Sequence, residues 1–278
     1  MSVRTPFPHL LAGILLAAGL CVLAGQRAKA DDLDTIKQRG TLLVGVKTDY
    51  PPFGFRTPSG EIVGIEPTLA ADVAKHLGVK LELVPVTAAN RITLLRQGEV
   101  DLLIATMNDT LPRRQEVTIV KPFYYAAGFN VMVPKSMHLH SWDELKGKPV
   151  CGIQGAYYNY EATMSFGVRL TPFAGPAEAL TALQQGRCVG LLYDDTAIEG
   201  DMLDPAWSDY EMPLQTREVQ PWGLAVRNDQ PEWAAYLSGI AKMWAKDGTI
   251  LDLETKYHIS HSKFAAEAHQ KASAASGN

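Results

Sequence analysis

Apolar positions along this chain fall in short bursts separated by glycine, and the bursts alternate between two periods. Leu42-Leu43-Val44-Gly45-Val46 is a continuous apolar run that ends before Pro51-Pro52, which predicts a buried strand followed by a turn. Over residues 64–77 the spacing lengthens: Leu69, Val73, Ala74 and Leu77 share a helical face, and Gly78 is placed to end the helix. A strand at 80–86, a helix at 90–97 ending at Gly98 and a strand at 101–105 follow. This β-α-β-α-β order is that of a parallel sheet covered by helices.

The same grammar restarts after Lys148, with strands at 150–153, 169–173 and 189–193 around helices at about 158–164 and 176–185. Between the two units runs an extended stretch, Phe129-Asn130-Val131-Met132-Val133, without any low-complexity linker. A second extended stretch at 222–226 precedes a helix at 231–246. Two such crossings predict a second unit inserted into the first across a hinge, with residues 31–125 and 219–262 as one lobe and 126–218 as the other. From Phe264 the chain is rich in Ala, Ser, Lys and Gln, and residues 263–278 read as a flexible tail.

With 278 residues, 46% of them hydrophobic, the chain can build two such lobes without a metal or a disulfide to hold them. Its first thirty residues differ from the rest. Arg4 precedes an apolar run from Leu10 to Leu23, and Ala28-Lys29-Ala30 puts small residues where a signal peptidase cuts, so residues 1–30 read as a cleaved secretory signal. The run is also shorter than the roughly 20 residues a membrane-spanning helix needs. Cys21 would suggest a lipid anchor, but Leu20 precedes it where a small residue is required.

Cleavage removes Arg4, Arg27 and Lys29 and no acidic residue, so the formal charge of −4 becomes −7. That sign disfavours nucleic acid, whose phosphates are held by clustered Lys and Arg. Cys151 and Cys188 then remain as an even pair in an oxidising compartment, and one disulfide is the economical inference. Two cysteines without a nearby histidine pair do not match structural zinc spacing, so no metal is expected.

Four segments carry candidate chemistry. The first is Val44-Gly45-Val46-Lys47-Thr48-Asp49-Tyr50-Pro51-Pro52-Phe53-Gly54-Phe55, followed by Gly64-Ile65-Glu66, and the second runs from Gly98 through Thr106 and Asn108 to Arg113. The third is Val150-Cys151-Gly152-Ile153-Gln154-Gly155-Ala156-Tyr157, and the fourth runs from Gly186 to Asp194-Asp195. In this order, over residues 33–259, they resemble the polar-amino-acid group of extracellular solute-binding proteins that serve ABC importers, solute-binding protein family 3.

The resemblance implies an α/β, two-lobed periplasmic-binding-protein fold (type II, Venus-flytrap) with two hinge crossings. It implies an exported, periplasmic monomer that passes an amino acid to a membrane permease and needs no cofactor. It also implies roles. Tyr50 stacks on the aliphatic part of the ligand and Lys47 meets its side chain, at the carboxyl edge of the sheet where open α/β sheets bind ligands. Arg113 clamps the α-carboxylate, for which its planar fork is suited, with Thr106 and Asn108 beside it. Asn108 stands where the family usually has Ser or Thr. The Gly155-Ala156 loop offers backbone N–H groups to an anion at a helix N-terminus; the family often has Ser or Thr at Ala156, so only backbone contact carries over there. Asp194 receives the ligand ammonium and Asp195 caps the following helix. Cys151 and Cys188 fall at the starts of neighbouring strands of the second lobe, where a bridge closes a loop of about 38 residues.

Charge ranks the ligands. Lys47 and Arg113 against Asp194 leave the cleft positive by one, which favours glutamate or aspartate over a basic amino acid. The alternative for Lys47 is an internal pair with Asp49 or Glu66. The competing class is a periplasmic cyclohexadienyl or arogenate-type dehydratase on the same fold. It would need a proton donor in the cleft, whereas His76, His138, His140, His258, His261 and His269 all lie outside the four segments.

Overall fold

The computed structural model describes residues 31–275, so the expected signal segment 1–30 and the last three residues lie outside the described residues. Helix α1 (Asp32–Arg39) leads into β1 (Thr41–Val46) and a small antiparallel ribbon of β2 (Asp49–Tyr50), β3 (Gly54–Arg56) and β4 (Ile62–Val63). Then come α2 (Ile65–Leu77), β5 (Lys80–Pro85), α3 (Arg91–Gln97), β6 (Leu102–Leu103), α4 (Leu111–Glu116) and β7 (Thr118–Ile119). The chain crosses on β8 (Tyr125–Pro134) and continues through β9 (Pro149–Ile153), α5 (Asn159–Phe166), β10 (Arg169–Phe173), α6 (Pro176–Gln184), β11 (Gly190–Asp194), α7 (Asp195–Asp201) and β12 (Tyr210–Glu211). It returns on β13 (Arg217–Trp222) to β14 (Ala225–Val226), and ends in α8 (Pro231–Asp247), α9 (Thr249–Lys256) and α10 (Lys263–Ala274).

The five-stranded sheet has the order β5-β1-β6-β14-β7, and the second sheet has the order β10-β9-β11-β8-β12 with β13 also on β8. In each, three parallel strands form the βαβ core, and antiparallel strands close one side. Leu42, Val44 and Val46 share one face of β1 and are all fully buried, so that face of the central strand packs on the core. The two crossings run side by side: β8 and β13 pair antiparallel, with Tyr125 opposite Trp222. Trp222 is buried there against Phe53 (ring centroids 5.0 Å apart) and Tyr125 (5.3 Å), so an aromatic cluster fills the junction of the two sheets.

Three expected elements differ. The strand at 101–105 is reduced to Leu102–Leu103, because Arg91 captures the carbonyls of Ala105 and Thr106 that a continued ladder would use. The extended stretch 222–226 is split at Gly223, where the chain leaves β8 and joins β6 and β7. The tail is not loose over its described part: residues 263–274 form α10, capped by Ser262, whose hydroxyl accepts from Ala265 N at 3.1 Å. His269 Nδ1 sits 3.0 Å from Ala245 O on α8, and buried Glu254 accepts from Ser262 N at 3.1 Å. An Ala-rich segment makes a good helix with a small face that packs closely.

Cys151 and Cys188 are bonded, with Cα atoms 5.5 Å apart and a sequence separation of 37. Closing a loop of that size contributes about 3–4 kcal/mol in the chain-entropy model. Replacing both cysteines with serine is therefore expected to lower the melting temperature by about 10 °C. A change below about 2 °C in calorimetry would show that the bridge does not hold the lobe together.

Candidate ligand-binding site

The carboxyl ends of β1, β6, β9 and β11 face one another across the junction, and their loops leave about 270 Å³ of space between atoms. Lys47, Arg91, Thr106, Asn108 and Arg113 line it from the first sheet's side, and Ala156, Tyr157, Tyr158, Tyr193 and Asp194 from the second's. The structure thus gathers six of the eight expected residues around one cavity.

Arg113 projects from the short helix α4. Its Nη1 donates to Asn108 O at 3.2 Å and Asn108 Oδ1 at 3.1 Å, and its Nη2 donates across the cleft to Gly155 O at 3.2 Å. Burial, and then the charge of Arg91, lower its pKa. Gly155 does not line the cavity but closes it, for it has φ +77° and a Cβ there would lie 2.7 Å from Ala88 O. Only glycine combines that backbone with that approach.

Arg91 was missed by the sequence reading. It is 2% exposed, donates to Thr106 O at 3.0 Å and to Thr106 Oγ1 at 3.2 Å, and leaves Nε without a partner. A cation in the first turn of a helix opposes the helix dipole, and that misplacement was the available signal. Thr106 has φ +48°, unusual for a β-branched residue, and is held from the other side by Glu66 Oε1, which accepts from Thr106 N at 2.6 Å. Tyr124 OH donates to the same oxygen at 2.6 Å. Burial raises the Glu66 pKa, against the effect of these bonds. The strained turn is therefore fixed by a buried network that aims Asn108 and Arg113 inward.

Asp194 ends β11, opposite Phe129, and occupies the N-cap position of α7 without capping it through its side chain. Asp195 is the first residue of α7 and accepts from Thr196 N at 2.8 Å. The Asp194 carboxyl is 8% exposed with Oδ1 unpartnered, and burial raises its pKa to about 6 although Lys47 opposes the rise.

Lys47 lies 3.4 Å from Asp49 Oδ1, donates to Tyr193 OH at 3.2 Å and sits 4.8 Å from the Tyr50 ring centroid. Of the two internal pairs considered for it, the one with Asp49 is present. Tyr50 does not line the cavity: it is fully buried against Phe53, Tyr193 and Trp222, and its hydroxyl meets Thr196 Oγ1 at 2.8 Å. Tyr157, Tyr158 and Tyr193 supply the aromatic walls instead.

Two α/β lobes joined by paired crossing strands, closed on a buried cavity lined with both signs of charge, define a two-lobed periplasmic-binding-protein fold. The chain belongs to the bacterial extracellular solute-binding proteins, family 3, whose model matches residues 42–260. It is similar to the glutamine-binding protein of an ABC transporter from Bacillus subtilis, with 31% identity over 264 residues, covering 89% of this chain and 93% of that protein. Among solved structures it resembles the solute receptor for L-cysteine of Neisseria gonorrhoeae, with a TM-score of 0.77 and 27% identity over 82% of this chain and 93% of that one. Holo ArgBP from T. maritima has a TM-score of 0.73 and 26% identity, covering 81% and 99%. The relatives named here are, by their names, binding proteins and a solute receptor, and this chain belongs to a family of solute-binding proteins.

Proposed function

We propose that this protein is the periplasmic receptor of an ABC importer for an acidic amino acid, glutamate or aspartate, which it traps by hinge closure and presents to the membrane permease. The three relatives named above carry the names of different amino acids, so the shared part of the inference is an amino acid and the side-chain preference rests on this cavity. The observation that carries the preference is charge. Lys47, Arg91 and Arg113 line the cavity together with the carboxylate of Asp194, and with Lys47 paired to Asp49 the site still keeps one cation in excess.

In this reading Arg113 and Asn108 take the α-carboxylate, and Asp194 Oδ1 takes the ammonium. The unpartnered Arg91 Nε and the Lys47 ammonium face the distal carboxylate. A basic ligand would add a fourth cation to a closed, low-dielectric site, where unpaired charge is costly. The ligand first meets the lobe bearing Arg113, and closure then adds Asp194 and the Gly155 loop, a population shift biased by the ligand.

A thermal-shift screen of the exported protein against the twenty amino acids tests this. Ligand at one hundred times its Kd stabilises by about 2.7 kcal/mol, or roughly 5–10 °C for a chain of this size. The rise is expected with L-glutamate or L-aspartate. A rise with arginine or lysine alone would overturn the charge argument and leave the receptor class intact.

A further inference from the structure

Gly200 lies inside α7 without a positive φ, so its own backbone does not call for glycine, and glycine weakens a helix relative to alanine. The reason for it is across the cleft. A Cβ on Gly200 would lie 2.7 Å from Pro51 O and 3.7 Å from Pro52 Cδ. Those atoms cannot yield easily, because both prolines have a fixed φ. The carbonyls that follow, Pro52 O and Phe53 O, accept from Ile65 N at 3.1 Å and from Glu66 N at 2.8 Å, which ties the turn to the start of α2. A second glycine, Gly239 in α8, offers the contrast: a Cβ there meets nothing within 4 Å.

We propose that Gly200 sets how far the two lobes close, and through closure the affinity for ligand, without touching the ligand. The inference rests on the hinge-closure reading above. Helix α7 begins directly after Asp194, and its Thr196 makes the 2.8 Å contact with Tyr50 across the cleft. A methyl group wedged between Gly200 and Pro51 tilts the helix away from the other lobe, and Asp194 moves with it. Gly155 also makes a close approach, but its φ of +77° and its bond from Arg113 make it part of the site. Gly200 separates closure from contact.

The test compares Gly200→Ala with Gly239→Ala in the exported protein, by melting temperature without ligand and by calorimetric titration with L-glutamate. Both variants gain a helix-favouring alanine, so each is expected to melt at or above the wild type, by about 1–3 °C. Gly200→Ala is expected to bind about tenfold more weakly, the usual scale of overpacking at a close contact. Gly239→Ala is expected to keep the wild-type affinity. Unchanged affinity in Gly200→Ala would overturn the proposal. So would a melting temperature well below the wild type, since it would mean that the fold absorbs the methyl group as internal strain and not by opening of the lobes. A wild type that ignores L-glutamate in the amino-acid screen would instead overturn the ligand assignment. That result is visible before either variant is made, the titrations then use the amino acid the screen identifies, and the melting comparison stands without any ligand.

Discussion

Arg113→Ala is expected to weaken binding of the amino-acid ligand by about 10²–10³-fold, the loss that follows from removing one partner of a buried, hydrogen-bonded charge pair. The guanidinium is already oriented for the task. Its Nη1 is fixed by the carbonyl and side-chain oxygens of Asn108, and its Nη2 by the carbonyl of Gly155. A planar fork held in this way meets a carboxylate with little further loss of side-chain freedom. Arg113→Lys keeps the charge but not the fork, and is expected to recover less than a tenth of the lost affinity.

The ligand-free protein should not suffer in the same way. Arg113 makes no ion pair within 4.0 Å among the described residues, and both burial and Arg91 act against its charge. Removing it relieves a repulsion, so the melting temperature without ligand is expected to stay level or rise. Calorimetric titration together with a thermal melt separates the two effects. A loss of affinity below about fivefold would take the α-carboxylate away from Arg113, and a fall in ligand-free stability would make its role structural.

The contrast between Arg113 and Arg91 shows what the sequence could disclose. Arg113 belongs to a linear motif in which the strand end, Asn108 and the start of α4 are consecutive, so its neighbours could be named from the chain alone. Arg91 reaches the cavity from a different βα unit, and its partners, Ala105 and Thr106, lie fourteen and fifteen residues further on. Nothing periodic marks that contact. The only trace of it is a cation standing where a helix dipole disfavours one.

Helices α2 and α3 were legible because Gly78 and Gly98 end them in the left-handed conformation that few other residues adopt. α10 was not legible, because its Ala-rich composition reads equally as helix or as tail until a partner face is known. The face is supplied by α8, where His269 meets the carbonyl of Ala245. The family resemblance implies ligand contact for Tyr50, yet the cluster around Trp222 draws its ring beneath the wall. Such competition among aromatic rings for one buried volume depends on both lobes together, and no local pattern encodes it.

The second large effect concerns Asp194 and acid. An ordinary aspartate ionises near 3.9, whereas burial raises the Asp194 pKa to about 6 in the closed structure. Between those values the closed protein holds a proton that the unfolded chain has released. Falling pH through 6 therefore stabilises the ligand-free closed form, and the penalty for the buried charge is fully present above 6. Asp201, raised to about 7 by burial, adds to the melting temperature in the same direction but does not line the cavity.

Ligand binding runs the opposite way, because the ammonium needs the ionised carboxylate. Below pH 6 each unit of acid removes about nine-tenths of that form, so affinity for L-glutamate at pH 5 is expected to be about tenfold weaker than at pH 7.5. The ligand's own side-chain carboxyl, with a pKa near 4.3, is still mostly charged at pH 5. Asp194→Asn is expected to bind about 100-fold more weakly, in line with the loss of a buried charge partner, and its affinity should be nearly level between pH 5 and 7.5. A variant that kept the wild-type pH profile would place the titrating group elsewhere. A wild type whose affinity and ligand-free melting temperature both fell with acid would remove Asp194 as the ammonium partner, since a buried carboxylate that ionises late must move the two in opposite directions.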